Sequence, residues 1–241
     1  MMRAAWCSVA LVLAGCAGAP KDGEQTVEAP SASTPGVLQV EYSLSAPQQG
    51  TLKEEPTEVT LITPQFVQGA TVARAALSIL SIVARAPILD TDGYGKENYR
   101  GKSLAETNGT ALANPYPKEF VERLQGAVSQ AIAADEQLRQ QSWSKALIVG
   151  RGSARLMYEG LTGPEAEQFR LRSELVVYKP AERFAQGVQS VDCSASTEPL
   201  ALNDWYADGY ARVKQEQAAF MQACEAKVLA ELPRLLNRAK P

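Results

Sequence analysis

The amino-acid sequence predicts an α+β domain in which an antiparallel sheet is packed with about three helices. Two observations carry this expectation. Several segments alternate apolar and polar residues with period two, the mark of half-buried strands, and others repeat their apolar residues with the helical period. Their order along the chain, ββα, α, ββ, α, departs from strict alternation, which favours antiparallel pairing over a doubly wound parallel sheet.

Order begins at residue 37. In Val37-Leu38-Gln39-Val40-Glu41-Tyr42-Ser43-Leu44, the residues Leu38, Val40, Tyr42 and Leu44 share one side of a strand, and Glu58-Val59-Thr60-Leu61-Ile62-Thr63 is expected to be the next. After Pro64 the period changes. Residues 71–85 carry Arg74, Ser78, Ser81 and Arg85 on a narrow polar stripe, so this helix is apolar around most of its circumference and is expected to bury Leu77, Leu80 and Val83 in the core, the rival readings being partner or subunit contact and membrane contact. A second helix starts near Pro117, whose fixed φ suits a first turn, with a core stripe of Phe120, Val121, Leu124, Val128 and Ile132. Two strands follow, at about 145–158 and 168–179. Phe169, Leu171, Leu175 and Val177 form the apolar side of the second. Asn203 is the expected cap of the last long helix, which runs towards Pro233 with Tyr206, Tyr210, Val213, Phe220, Cys224, Val228 and Leu232 on its buried side.

The first residues have a different character. A basic start ending at Arg3 precedes an uncharged run from Ala4 to Leu13. About 10 helical residues reach only about 15 Å, roughly half a hydrocarbon core, so this is a signal-peptide core and not a stable membrane span. It ends in Leu13-Ala14-Gly15-Cys16, which resembles the lipobox of bacterial lipoproteins. That resemblance covers the first 16 residues and implies cleavage before Cys16 and acylation of its thiol. Attachment by two or three acyl chains is effectively stable, since each buried CH₂ contributes about 0.8 kcal/mol. By the same resemblance, the family's sorting rules make Ala17, rather than an aspartate, after the cysteine look like an outer-membrane address in Gram-negative bacteria, facing the periplasm. The expected organisation is a signal peptide over 1–15, an acylated cysteine and flexible Pro/Gly/Ser-rich tether over 16–36, and one domain over 37–241.

Removing residues 1–15 takes one of the 24 Lys+Arg and none of the 27 Asp+Glu, leaving a net charge of −4. That balance argues against nucleic acid or anionic lipid as the main partner. Of the four cysteines, Cys7 leaves with the signal and Cys16 is acylated. Cys193 and Cys224 remain and are expected to pair in an oxidising compartment, the rival reading being a buried free thiol plus a reactive one.

The chain has no histidine, which removes Ser-His-Asp and Cys-His catalysis and every histidine metal site. Three local patterns remain. Ser142-Trp143-Ser144-Lys145 has S-x-x-K spacing but no K-T-G companion, and reads as a polar connection around a packed tryptophan. Gly150-Arg151-Gly152-Ser153-Ala154-Arg155 begins like a phosphate-cradling loop but continues as a strand, so its glycines are expected to relieve crowding or form a bulge. Asp90 and Asp92 are spaced like the first ligands of a calcium loop. Yet Tyr94 and Gly101 stand where oxygen ligands belong, which favours an exposed turn-rich loop through Asn98. No cofactor or metal is implied. The expected function is a non-catalytic envelope lipoprotein, held to the membrane by its lipid anchor, whose domain binds or supports another envelope protein. The alternative is a carrier enclosing a hydrophobic ligand.

Overall fold

The computed structural model describes residues 34–47, 49–65, 101–182 and 187–236. The lipobox with Cys16, the helix expected over 71–85 and the Asp90–Asn98 loop lie outside the described residues.

The strands are β1 (Val40–Ser43), β2 (Ser45–Ala46), β3 (Gly50–Thr51), β4 (Thr60–Ile62), β5 (Lys102–Ser103), β6 (Leu147–Tyr158), β7 (Gln168–Lys179), β8 (Gln189–Ser196) and β9 (Leu200–Ala201). The helices are α1 (Leu104–Asn108), α2 (Val121–Ala134), α3 (Glu136–Arg139) and α4 (Leu202–Leu235); a π turn, Tyr116–Phe120, leads directly into α2.

The class is α+β, but the sheet is mixed and not antiparallel throughout. β6, β7 and β8 form an antiparallel meander, whereas β1 and β4 both join β6 in parallel. β1 pairs with Leu147–Gly150 at one end of β6, and β4 pairs with Arg155–Met157 at the other, so the two share one edge in tandem. The physical reason lies in the polar stretch after Ser43. It does not turn β1 back onto β4; it folds into the β2–β3 hairpin, and the two strands then meet β6 only after long crossovers, as parallel pairing requires.

Between the two pairings β6 carries a register shift over Gly150–Ser153, with Arg151 at φ 55°. This is the bulge the glycines predict, and each glycine is there for space. A Cβ on Gly150 would stand 2.6 Å from the Ser45 carbonyl, and one on Gly152 would stand 2.6 Å from the Tyr116 Cβ. The hairpin therefore lies against one face of the sheet at Gly150, and the π turn against the other at Gly152.

α2 and α4 cover the face that carries Leu147, Val149 and Leu156 of β6, Phe169, Leu171, Leu175 and Val177 of β7, and Val191 and Cys193 of β8, all buried. The expected α2 stripe is buried at Phe120, Leu124, Val128 and Ile132, with Val121 half-buried. α4 buries Tyr210, Val213, Phe220, Cys224, Val228 and Leu232 as expected, with Tyr206 partly covered.

Three features of this last region differ from expectation. A strand, β8, occupies the stretch before α4. Asn203 does not cap the helix: Ala201 holds the N-cap position without a side-chain hydrogen bond. The helix is also interrupted, with non-helical backbone from Ala207 to Tyr210, and it continues through Pro233 to Leu235. At the interruption the Tyr210 hydroxyl accepts from Asn108 Nδ2 at 3.1 Å and donates to the Thr110 carbonyl at 3.1 Å. One turn earlier Trp205 is fully buried and its Nε1 donates to the Phe169 carbonyl at 2.7 Å. These bonds seat the first turn of α4 before the chain redirects into the long segment.

Candidate functional site

Cys193 and Cys224 form a disulfide, with their Cα atoms 5.7 Å apart. Cys193 lies on β8, not in a loop before the last helix, so the bond ties the outermost strand of the meander to the middle of α4. Sequence reading placed no strand here because Ser190, Asp192, Ser194 and Ser196 have little strand propensity; Val191, Cys193 and Ala195 on alternate positions were the available signal.

The register fixes how the backbone of β8 is used. The Thr197 N–H donates to the Leu171 carbonyl at 3.1 Å, in line with the Arg172–Ser196 pairing beside it. Antiparallel ladders alternate, so Ala195, Cys193 and Val191 exchange hydrogen bonds with β7, while Ser190, Asp192, Ser194 and Ser196 direct their N–H and C=O groups outward. β8 has no strand on its outer side among the described residues.

α4 runs along this edge in the opposite direction and covers part of it. Arg234 Nη2 donates to the Ser190 carbonyl at 2.8 Å, and Lys227 Nζ donates to the Asp192 carbonyl at 2.6 Å. The sheet edge at β1 is treated in the same way, since Gln125 of α2 accepts from the Val40 N–H at 2.7 Å and donates to the Leu38 carbonyl at 3.0 Å. Such capping blunts edges that would otherwise pair with other chains.

Beyond Asp192 no such cap is present among the described residues, and α4 stands off. A groove of about 320 Å³ opens there between Cys193–Thr197 and the helix, with Leu171, Phe220 and the disulfide at its base and Ala219 and Ala223 on its helical wall. Glu216, paired with Arg212 at 2.7 Å, stands beside the Thr197 end, and Lys227 beside the Asp192 end. Under the groove Ser173 is buried, and its Oγ accepts from the Tyr116 hydroxyl at 2.7 Å. Burial holds that phenol well above its ordinary pKa despite the bond to Ser173.

The S-x-x-K residues form no catalytic pair. Trp143 is packed, the Lys145 ammonium donates to the Ala181 carbonyl, and Ser144 donates to Glu182, which also pairs with the buried Lys179. Burial pushes the Glu182 carboxyl up, but the bonds from Lys179 and Ser144 outweigh it and hold the group below its ordinary pKa. This arrangement clamps the end of β7 to the connection before β6. On the sheet face away from α2 and α4, Arg170 pairs with Glu159 and Arg172 with Glu174 around the buried Met157. Among the described residues no group of His, Cys, Asp or Glu is placed to hold a metal ion.

The fold and groove define an α+β protein with an incompletely capped sheet edge. Compared with protein-family models, with curated proteins and with solved structures, the chain matches none.

Proposed function

We propose that this chain is a membrane-anchored lipoprotein of the bacterial cell envelope, acylated at Cys16 and non-catalytic in its domain, which binds or helps assemble another envelope component.

 The observation that carries this reading is the groove between β8 and α4. Its walls are main-chain groups, small side chains and a disulfide, which suit recognition and bring together no acid–base or nucleophile pair. Three further observations support it. The disulfide suits an oxidising compartment, as an exported domain requires. No helix among the described residues is long and apolar enough to cross a membrane, and the lipobox offers the acyl chains of Cys16 as the means of attachment. The net charge is mildly negative, which suits a protein partner better than nucleic acid. The carrier alternative draws on the apolar base of the same groove, but that space opens along β8, whereas a carrier encloses its ligand.

The test has two parts, both in the native host. Metabolic labelling with a tagged fatty acid is expected to mark the wild-type chain and not Cys16→Ser; equal labelling of the two overturns the anchor. A photo-crosslinking residue at Ser196 is expected to give a discrete protein adduct that the same residue at the exposed Glu122 of α2 does not give. The same adducts from both positions would remove the groove from the binding surface.

A further inference from the structure

We propose that the groove takes an extended polypeptide segment of its partner as an additional strand on β8, hydrogen-bonded to the main chain of Ser194 and Ser196. This rests on the binding-module reading above and names the form of its ligand.

The argument starts from the backbone. Outward N–H and C=O groups on a strand repeat with the spacing of another strand, so the ligand that satisfies them in series is a second extended chain. On β8 the carbonyls of Ser190 and Asp192 are capped by Arg234 and Lys227, and on β1 Gln125 caps the corresponding groups. The Ser194–Ser196 stretch has no such cap among the described residues, and it is the stretch that borders the groove. Capping along the edge and opening at the groove thus fall on one strand, with the change between Asp192 and Ser194.

The groove also fits the side chains of such a segment. Alternate residues of an added strand would face the space between β8 and α4, where Leu171 and Phe220 form an apolar base and Ala219 and Ala223 leave room. Glu216 and Lys227 stand at its two ends. The partner segment is therefore extended, carries small or apolar residues at alternate positions, and has a basic residue towards Glu216 and an acidic one towards Lys227. The disulfide holds β8 and α4 together behind it, so the groove keeps its width when occupied.

The probe is a displayed library of random linear peptides selected on the full-length chain in detergent. Amide exchange, followed residue by residue by NMR, reads the complex. Selected peptides are expected to follow the charge and alternation pattern and to slow exchange at Ser194 and Ser196. Cys193 and Ala195, already bonded to β7, should change little. Ser194→Pro removes one outward N–H without touching the ladder to β7 and is expected to weaken binding by about tenfold or more, while Ser194→Ala retains it. Ala223→Trp, a change at an exposed helix position, is expected to fill the groove and abolish binding. Peptides that bind Ser194→Pro and Ala223→Trp as well as wild type, or that leave exchange at Ser194 and Ser196 unchanged, overturn strand addition. So does a failure to select any peptide. Any of these results alongside a Ser196 crosslink in the envelope would leave the binding-module reading standing and refute only the strand.

Discussion

Breaking the Cys193–Cys224 bond tests whether α4 is held on the sheet edge by covalent constraint or by packing alone. The bond closes a loop with a sequence separation of 31. The chain-entropy relation gives roughly 3–4 kcal/mol of stability from restricting the unfolded state over a loop of that size. Both cysteines are buried, so the variant should be Cys193→Ala/Cys224→Ala, which leaves no unsatisfied hydroxyl inside. Urea unfolding followed by fluorescence is suited to the measurement because Trp143 and Trp205 are both packed in the core. The expected result is a loss of about 3–4 kcal/mol, a sizeable part of the 5–15 kcal/mol typical of a domain. The denaturant slope should also rise, because an unfolded chain without the cross-link exposes more surface. Wild type under reductant should show the same slope. A loss below about 1 kcal/mol with an unchanged slope would refute the account, since the bond would then restrict little in the unfolded chain.

Other perturbations follow from particular contacts. Gly152→Ala drives a methyl into Tyr116 at the β6 bulge and should cost about 1–3 kcal/mol, whereas Gly126→Ala in α2 meets nothing within 4 Å and should stabilise by about 0.5–1 kcal/mol; urea midpoints of the two variants should move in opposite directions. Tyr116→Phe leaves the buried Ser173 hydroxyl without its donor and should cost about 1–3 kcal/mol in the same assay. At Tyr42, burial first and Glu55 second push the phenol up to about 12. The unfolded chain then loses this proton before the folded one, so its contribution is intact below about pH 10 and is lost as pH rises through 10 towards 12. Alkaline denaturation should be shallower over that window in Tyr42→Phe, and identical profiles for variant and wild type would show that Tyr42 does not drive it.

Much of this fold is legible in the residues, and the parts that are not share a cause. β6 and β7 fall close to their expected positions; in β7, Phe169, Leu171, Leu175 and Val177 alternate with Arg170, Arg172, Glu174 and Val176 over a long stretch. α2 was equally clear, since Phe120, Leu124, Val128 and Ile132 keep the helical period. β8 was not, because its serines and Asp192 carry no strand signature and its structure comes from pairing with β7. The direction of β1 and β4 was also hidden, as alternation places side chains on faces and says nothing about which neighbour a strand will meet. The candidate groove was legible only at its disulfide. Its open edge depends on register and on where Lys227 and Arg234 reach across space, neither of which local pattern encodes. The role of Trp205 has no local signal, because its donor needs a carbonyl that only the folded β7 supplies.

The tandem placement of β1 and β4 on one edge of β6 has a kinetic consequence. β6, β7, β8, the short β9 and α4 follow one another in the chain, so their contacts close short loops and can form early. Val40 and Leu147, by contrast, pair across on the order of a hundred residues, and β4 must also reach β6 from far upstream. The expected folding nucleus is therefore the meander with α4, with β1 and β4 docking afterwards as two separate events on either side of the Gly150–Ser153 bulge. Conservative truncations such as Val177→Ala and Val228→Ala should then slow folding, whereas Val40→Ala and Ile62→Val should mainly speed unfolding. Chevron analysis distinguishes the two groups, and high φ-values at Val40 or Ile62 would reverse the order of assembly. A chain that folds in this sequence passes through a state in which one edge of β6 is bare along its whole length. Until β1 and β4 dock, that edge is the part of the protein most open to pairing with the wrong chain.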